Sequence, residues 1–507
     1  MSALPLVSSP SAPAPRRRWF FIALLLLLAL GLRLYRIDQQ SLWIDEVSSI
    51  EVARQPIRDI VLNYRPGRHP WRGAEQAPLS FFFMSLMFSP KAQETTARLP
   101  SVLFGIAGVL VIFQLGRELL QGPVAWTSAA LLAVSPLHIW YSQEARWYTL
   151  WILLTMLSYW AFFRAWKNSS WQAWLAYTLC TTLGIYTFVL SFLVMACQGF
   201  STLLLARRQG GARFVATVLA TQIVAAIAAA PVLWLILNTL GLTTGTPRPQ
   251  VLAQIPYTFF TYAAGYSIGP TVAMLHALPS AALLLRDHPA ILFFVSVFAP
   301  LTLLGCKRVL RWPAEAMILV PWLFGPLLLT ALLALVSHVT FQARYSSAAL
   351  PAFLMVTALG IEALPNVWLR FVALGAVLLA FTLSLVNHYN NPAYFKEDAR
   401  AAAAFLKGSA ADAPVYVVGQ VGPALKFYAA ALQVTDVEDC QVDLKPSDDG
   451  RLWVVVGRDW QGQGSRCLAR LAAANAVRAH SRFIGIEAWL FSPIQTDSSA
   501  PPMEGTA

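Results

Sequence analysis

Apolar stretches of membrane length recur along the chain as far as residue 387 and then stop. The first runs from Trp19 to Leu32, between Arg16-Arg17-Arg18 and Arg33. Others cover residues 99–119, 124–141, 147–166, 171–188, 189–206, 214–238, 290–306, 314–336, 345–363 and 367–387. A hydrocarbon core about 30 Å thick takes roughly 17–25 apolar residues in a helix. The pattern therefore predicts an all-α polytopic membrane protein of about eleven transmembrane helices. No polar loop separates the runs that meet at residues 188 and 189, so that boundary is the least defined. The first run shares a basic start with a signal peptide, but no small-x-small cleavage pattern follows Leu32 and more spans come after it. It reads as a retained span with its N-terminus in the cytoplasm.

After Asn390 the periodicity changes. Lys396 to Leu406 has helical spacing, and Val415-Tyr416-Val417-Val418 and Leu452-Trp453-Val454-Val455-Val456 read as buried strands, with helical patterns between and after them. Residues 390–495 thus form a small C-terminal α/β domain beyond a membrane domain at 19–389. Gly419 and Gly422 suit an ordinary strand-to-helix turn better than a phosphate cradle. The ends, residues 1–18 and 496–507, are rich in Ser, Pro and Ala and read as disordered. There is no internal repeat.

Composition agrees with this class. Charged residues make up 12% of the 507-residue chain, against about 25% in a soluble protein, and mean hydropathy is +0.56. The net charge of +12 fits cytoplasmic anchoring and attraction to phosphate-bearing lipid. Counting outward from a cytoplasmic start, Arg117, Arg164 with Lys167, Arg207-Arg208 with Arg213, and Lys307-Arg308 with Arg311 all fall inside, as the positive-inside rule requires. An odd span count then places the first loop, 35–97, and the C-terminal domain outside. Cys180, Cys197 and Cys306 lie in or beside spans as small apolar residues. Cys440 and Cys467 share the C-terminal domain and are candidates for a disulfide in an oxidising compartment. No Cys or His spacing suggests zinc.

Four charged segments are left unexplained by membrane anchoring. They are Trp43-Ile44-Asp45-Glu46, Gln76-Ala77-Pro78-Leu79 before the interfacial run Phe81-Phe82-Phe83, Gln143-Glu144-Ala145-Arg146-Trp147-Tyr148, and Phe341-Gln342-Ala343-Arg344-Tyr345. Each has a plain reading. Asp45 and Glu46 suit the first turn of a helix at Val47–Ala53, Glu144 and Arg146 suit a solvated loop, and Arg98 and Arg344 suit head-group contact. Their placement on one face of the membrane favours a shared site instead. A transporter would carry charge within its spans, and these spans are nearly free of it.

Trp43-Ile44-Asp45-Glu46 after the first span resembles the acidic motif of the GT-C membrane glycosyltransferases. The nearest likeness is to the family 39-like branch, which is related to protein O-mannosyltransferases and lipid A aminoarabinose transferases. Ala97-Arg98-Leu99-Pro100-Ser101, Gln143-Glu144-Ala145-Arg146 with Tyr148, Arg344-Tyr345 before Leu350-Pro351-Ala352, and Lys396-Glu397-Asp398 resemble that branch as well. The likeness covers roughly residues 19–400. One departure is Gln76-Ala77-Pro78-Leu79, where the family often has His-Pro-Pro-Leu, and His69-Pro70 upstream is a candidate substitute.

The resemblance implies transfer of a sugar from a polyprenyl-phosphate donor to a hydroxyl of a lipid, protein or glycan, outside a bacterial cytoplasmic membrane and with inversion. It casts Asp45 as the base and Glu46 as its neighbour. Arg344, Arg146 and Arg98 would bind the donor phosphate, and Glu144, Tyr148, Gln76, His69 and Tyr345 would position substrate. Two adjacent carboxylates repel, which favours a raised pKa for one of them. No cofactor or nucleic-acid partner is implied, and a metal at Asp45-Glu46 would lack further ligands. A ligase or polymerase of surface polysaccharide stays open as the alternative, with Arg248, Arg286, Asp287 and His288 in the loop at 241–289 as its candidate residues.

Overall fold

A computed structural model describes residues 15–61, 78–120, 122–207, 211–237, 248–271, 274–275, 286–337, 340–409, 413–438, 444–460 and 462–493. His69, Gln76 and Cys440 lie outside the described residues, as do the ends read as disordered, apart from Pro15 to Arg18. Those four residues begin the first helix, α1 (Pro15–Leu34), where proline is well tolerated.

The first loop contributes α2 (Ile44–Ala53), α3 (Ile57–Val61) and α4 (Leu79–Met87). The membrane domain continues with α5 (Gln93–Leu119), α6 (Gly122–Val134), α7 (Pro136–Ser142), α8 (Tyr148–Asn168), α9 (Trp171–Ile185), α10 (Ser191–Ala206), α11 (Gly211–Ala228) and α12 (Ala230–Leu237). It ends with α13 (Arg248–Ala264), α14 (Ala290–Val309), α15 (Pro313–Val336), a 3-10 turn at Ala343–Ala349 leading into α16 (Leu350–Glu362), and α17 (Val367–Asn390). Among the described residues each predicted apolar run is mainly helical, and the undefined boundary is a break at residues 186–190 between α9 and α10. Among the described residues, six helices are individually long and apolar enough to cross a membrane. Helix α13 falls in the predicted 241–289 loop. Its polar positions hide its periodicity, yet Val251, Thr258, Thr261 and Tyr262 are fully buried.

Arg33 closes a break that the hydropathy pattern does not reveal. Helix α6 stops before Pro136, leaving carbonyls without helical partners. The buried Arg33 guanidinium donates to the carbonyls of Ala133 (2.9 Å) and Leu132 (3.2 Å), to Ser142 Oγ (3.1 Å), and lies 2.8 Å from His138 Nδ1. The paired carbonyls let the chain turn into α7 toward the segment 143–147.

Helices α14 and α16 cross backbone to backbone. A Cβ added at Gly305 would lie 1.9 Å from the Val356 carbonyl oxygen, and one at Gly360 would lie 1.9 Å from that of Leu301. Small residues are what permit such approach in lipid, where packing rather than water exclusion holds helices together.

The C-terminal domain is an α/β sandwich. Helix α18 (Ala399–Ser409) leads into β1 (Val415–Gly419), followed by α19 (Gly422–Tyr428), β2 (Val434–Val437), β3 (Leu452–Gly457), α20 (Gln463–Ala474), β4 (Asn475–Phe483) and β5 (Ile486–Pro493). Strand order is β2-β1-β3-β5-β4. Strands β2, β1 and β3 are parallel, with Val417 opposite Asp436 and Val455, while β5 and β4 are antiparallel. The hairpin of β4 and β5 is not among the predicted strands, because β4 alternates apolar with charged residues and reads as polar. Alternate strand residues face opposite ways. Val418, Leu452 and Val454 pack with Cys467 of α20, which is disulfide-bonded. Val417, Trp453 and Val455 join a cluster that also holds Leu42, Val47 and Ile50 of the first loop.

This packing yields a stability prediction. Gly305→Ala and Gly360→Ala should each lower the melting temperature in detergent, at a cost of about 1–3 kcal/mol for overpacking, whereas Gly122→Ala, which meets open space, should not.

Candidate active site

Adjacent residues on a helix point about 100° apart, and this separates the two carboxylates in the first turn of α2. Glu46 turns inward and is fully buried, while Asp45 retains 22% side-chain exposure. Glu46 takes both forks of Arg98, with Nε to Oε1 at 2.8 Å and Nη2 to Oε2 at 2.9 Å. The Ala145 N–H adds 2.9 Å to Oε1 and Lys396 Nζ adds 3.2 Å to Oε2. Burial alone would push the Glu46 carboxyl up, but Arg98 and Lys396 outweigh it and hold the group at about 2.

Asp45 faces a different set. Arg344 Nη1 lies 3.3 Å from Oδ2 and Arg146 Nη2 lies 3.7 Å from it. Burial again disfavours its charge, yet Arg146, Arg344 and Arg458 prevail and hold its carboxyl below the usual value. The raised pKa expected of adjacent carboxylates is thus absent at both positions. Divergent side chains each meet their own cations, and attraction at 3–4 Å exceeds their mutual repulsion.

Each flanking residue is placed by its own element. The segment 143–147 links α7 to α8 without helix, and so carries Arg146 to Ser49 Oγ and the Asp45 carbonyl, both at 3.2 Å. The 3-10 turn before α16 presents Arg344, which also donates to the Tyr148 hydroxyl at 3.2 Å and lies over the Tyr345 ring. Tyr148 stacks on Tyr141 with centroids 4.3 Å apart. Glu144, expected to position substrate, accepts from Trp140 Nε1 (2.9 Å) and Lys396 Nζ (3.1 Å).

Arg98 is where structure and expectation part. Besides Glu46, its guanidinium donates to the carbonyls of Ile37 (2.6 Å), Gln40 (3.0 Å) and Ser41 (3.3 Å). With its donors engaged and only 2% exposure, Arg98 is a structural partner of Glu46 and not a group open to a phosphate. A buried guanidinium needs all its donors satisfied, and the loop at 35–41 wraps around it to supply acceptors.

Two residues outside the expected site belong beside it. Lys396 bridges Glu46 and Glu144. Arg458 follows β3 in the C-terminal domain and stacks 4.7 Å over the Trp43 ring. The available signal for Arg458 was its place at the carboxyl end of a parallel strand, where open α/β sheets gather ligand-binding groups.

Among the described residues, no group of three His, Cys, Asp or Glu side chains converges to hold a metal. Asp45, Glu46 and Glu144 each face arginine or lysine rather than one another.

Comparison with known proteins bears on this geometry. A family model described as dolichyl-phosphate-mannose-protein mannosyltransferase matches residues 75–235. Among solved structures, ArnT from Cupriavidus metallidurans in the apo state aligns with a TM-score of 0.59 at 14% identity, over 94% of this chain and 98% of that one. The same protein bound to undecaprenyl phosphate aligns with a TM-score of 0.58 at 14% identity, over 93% and 98%. The Archaeoglobus fulgidus oligosaccharyltransferase complex with Zn and sulfate aligns with a TM-score of 0.55 at 12% identity, over 86% and 67%. No curated protein matches the sequence at a significant level. The fold is that of the GT-C membrane glycosyltransferases, C-terminal α/β domain included.

The two carboxylates should separate in stability measurements. Glu46→Gln strands the buried Arg98 charge and should cost about 3–5 kcal/mol, more than Asp45→Asn. Because the folded Glu46 carboxyl sits near 2 against an ordinary 4.5, its contribution is present above 4.5 and lost as pH falls toward 2. Melting temperature followed across that window should fall less steeply in Glu46→Gln than in the wild type.

Proposed function

We propose that the protein is an inverting glycosyltransferase that moves a sugar from a polyprenyl-phosphate donor to an acceptor hydroxyl, with Asp45 as the base. The observation that carries this reading is the division between the carboxylates. Glu46 is buried and saturated, whereas Asp45 is partly open and faces Arg344 and Arg146. The undecaprenyl phosphate bound by the C. metallidurans neighbour supports a lipid-phosphate donor.

In this reading the acceptor oxygen attacks the anomeric carbon while Asp45 accepts its proton. The bond from that carbon to the phosphate oxygen breaks, and the lipid phosphate departs with the bonding electrons. A single displacement inverts the anomeric centre. The leaving group is already a stabilised anion, so it needs positive charge near the developing negative charge rather than a strong acid. Arg344 and Arg146 supply it, and a guanidinium binds two phosphate oxygens at once. Tyr148 and Tyr345 fix Arg344, one by a hydrogen bond and one by its ring. Lys396, at the start of the C-terminal domain, pairs with Glu144 at 3.1 Å. The acceptor is a hydroxyl-bearing lipid, protein or glycan. The site and the C-terminal domain face outward from a bacterial cytoplasmic membrane, with the N-terminus inside, as the basic connections suggest.

For the alternative, a surface-polysaccharide ligase or polymerase, the described part of the 241–289 loop offers an exposed pair, Arg286 with Asp287 at 2.8 Å. It shares no contact with the Asp45 cluster and favours no second site.

Asp45→Asn should reduce kcat about 10²–10⁴-fold, the range for a lost general base, with the protein still folded. Turnover of radiolabelled polyprenyl-phosphate sugars measures this, and unchanged turnover removes Asp45 from the mechanism. Arg344→Ala should raise the donor KM more than Arg286→Ala, since Arg286 is exposed and pairs with Asp287. With Asp45 held below its ordinary 3.8, the base stays ionised through neutral pH and the acid limb of kcat/KM should lie below about pH 4.

A further inference from the structure

The C-terminal domain presents a particular edge to Asp45. In an open α/β sheet, ligands gather outside the carboxyl ends of the parallel strands, at the point where strand order reverses. Here β1 connects to β2 on one side, and the chain then crosses to β3 on the other side of β1. The switch point therefore lies between β1 and β3, whose carboxyl ends are Gly419 and Gly457. Gly419 has φ +98, and a Cβ there would lie 2.1 Å from the Gly457 carbonyl oxygen, so only glycine lets the two ends close up.

The residue that leaves this edge is Arg458. Its φ of +49 is uncommon for a side chain of this size, and such conformations persist where surrounding structure enforces them. Three contacts enforce it. The guanidinium stacks on Trp43 at 4.7 Å and on Trp460 at 5.7 Å, and Nε lies 3.4 Å from Glu397 Oε1. Its side chain is only 14% exposed, and Nε has no hydrogen-bond partner. Trp43 is the residue before α2, two positions from Asp45, so the stack anchors a cation of one domain against the first turn that carries the carboxylate of the other.

The seam that holds it is not a loose contact. Leu42, Val47 and Ile50 share one buried cluster with Val417, Val421 and Trp453. Ser41 Oγ donates to the Glu397 carbonyl at 2.7 Å and the Tyr428 hydroxyl accepts from the Leu42 N–H at 2.8 Å. A large apolar interface of this kind suppresses relative domain motion, which keeps Arg458 in register with α2.

We propose that Arg458 is a positioning residue of the transfer site, seated on Trp43 by the docked C-terminal domain so that it sets the orientation and charge environment of Asp45. Its catalytic part rests on the function proposed above. The charged and titratable groups facing Asp45 are Arg146 from the α7–α8 link, Arg344 from the 3-10 turn, with Tyr148 of α8 behind it, and Arg458. Glu46 and Glu144 are neutralised by Arg98 and Lys396. Arg458 is among the cations that hold the Asp45 carboxyl down, so its loss raises that carboxyl.

The test uses the full-length protein in lipid nanodiscs, with Arg458→Gln, Arg458→Lys, Asp45→Asn and the double variant Asp45→Asn/Arg458→Gln. Arg451→Gln, an exposed pair with Asp449 in the same domain, serves as the control and should match wild type. Thermal stability is read first because it needs no turnover. The melting-temperature loss from Arg458→Gln should shrink in the Asp45→Asn background, and strictly additive losses overturn the proposal. Where the wild type transfers sugar, Arg458→Gln should lower kcat about tenfold with donor KM changed less than about twofold. Its acid limb should move to higher pH, and Arg458→Lys should return it. A purely bracing role would lower stability and leave the limb in place, which also overturns the proposal. Absence of transfer by the wild type counts against the glycosyltransferase reading, while the stability cycle still decides the coupling of Arg458 to Asp45.

Discussion

Four segments distant in sequence meet on the Glu46 carboxylate. Arg98 brings α5, the Ala145 amide brings the link between α7 and α8, Lys396 brings the start of the C-terminal domain, and Glu46 itself anchors α2. The loop at 37–41 then closes over Arg98 through its carbonyls. Burying a carboxylate costs several kcal/mol unless its partners are in place, so the segments are bound to arrive together. The open side of the site inherits its geometry from this closed one. Once Glu46 is seated, the first turn of α2 has one orientation, and Asp45 can only point toward Arg146 and Arg344.

Neighbouring carboxylates therefore do different work because a helix turns between them. The inward one is saturated by a bidentate arginine, a lysine and an amide. The outward one keeps some exposure and more positive charge than a single carboxylate neutralises. That excess suits a phosphate-bearing donor in the proposed reaction, and the same cations keep Asp45 ionised at neutral pH. An ionised carboxylate with a depressed pKa is a ready base but a weak one. In the proposed reaction, a donor phosphate drawing on Arg344 and Arg146 would relieve this by competing for the charge that holds the carboxyl down.

The C-terminal domain shares this economy of contact. One face of its sheet packs under α20 and the other merges with α2 through a common apolar cluster. Burying a side chain such as Leu42 or Ile50 contributes roughly 1.5–3 kcal/mol, so the domain is docked by ordinary core packing. Its parallel-strand edge comes to rest on Trp43, and Lys396, Glu397 and Arg458 line the seam.

The membrane helices were legible in the sequence because hydrocarbon imposes one requirement on every span, a run of apolar residues, although the runs at 124–141 and 214–238 each divide into two helices. The same regularity concealed α13, whose polar positions are buried by neighbouring helices rather than by lipid. The polar-looking hairpin of β4 and β5 was concealed likewise, since strand pairing supplies what its residue pattern lacks. For the candidate site, the expected placement of Asp45, Glu46, Arg146 and Arg344 on one face of the membrane grouped them, although each residue alone also suited a plain role. Sequence could not divide their roles. Whether an arginine meets a buried carboxylate or an open one depends on which helix face it reaches and which loop closes over it, and that took Arg98 from the expected phosphate contacts to Glu46. Arg458 lies 413 positions beyond Asp45, in a separate domain, and only the docking of two folded bodies brings it to Trp43. Local chemistry and hydropathy are written along the chain, whereas the partner of each charge is set by packing between segments that no local pattern relates.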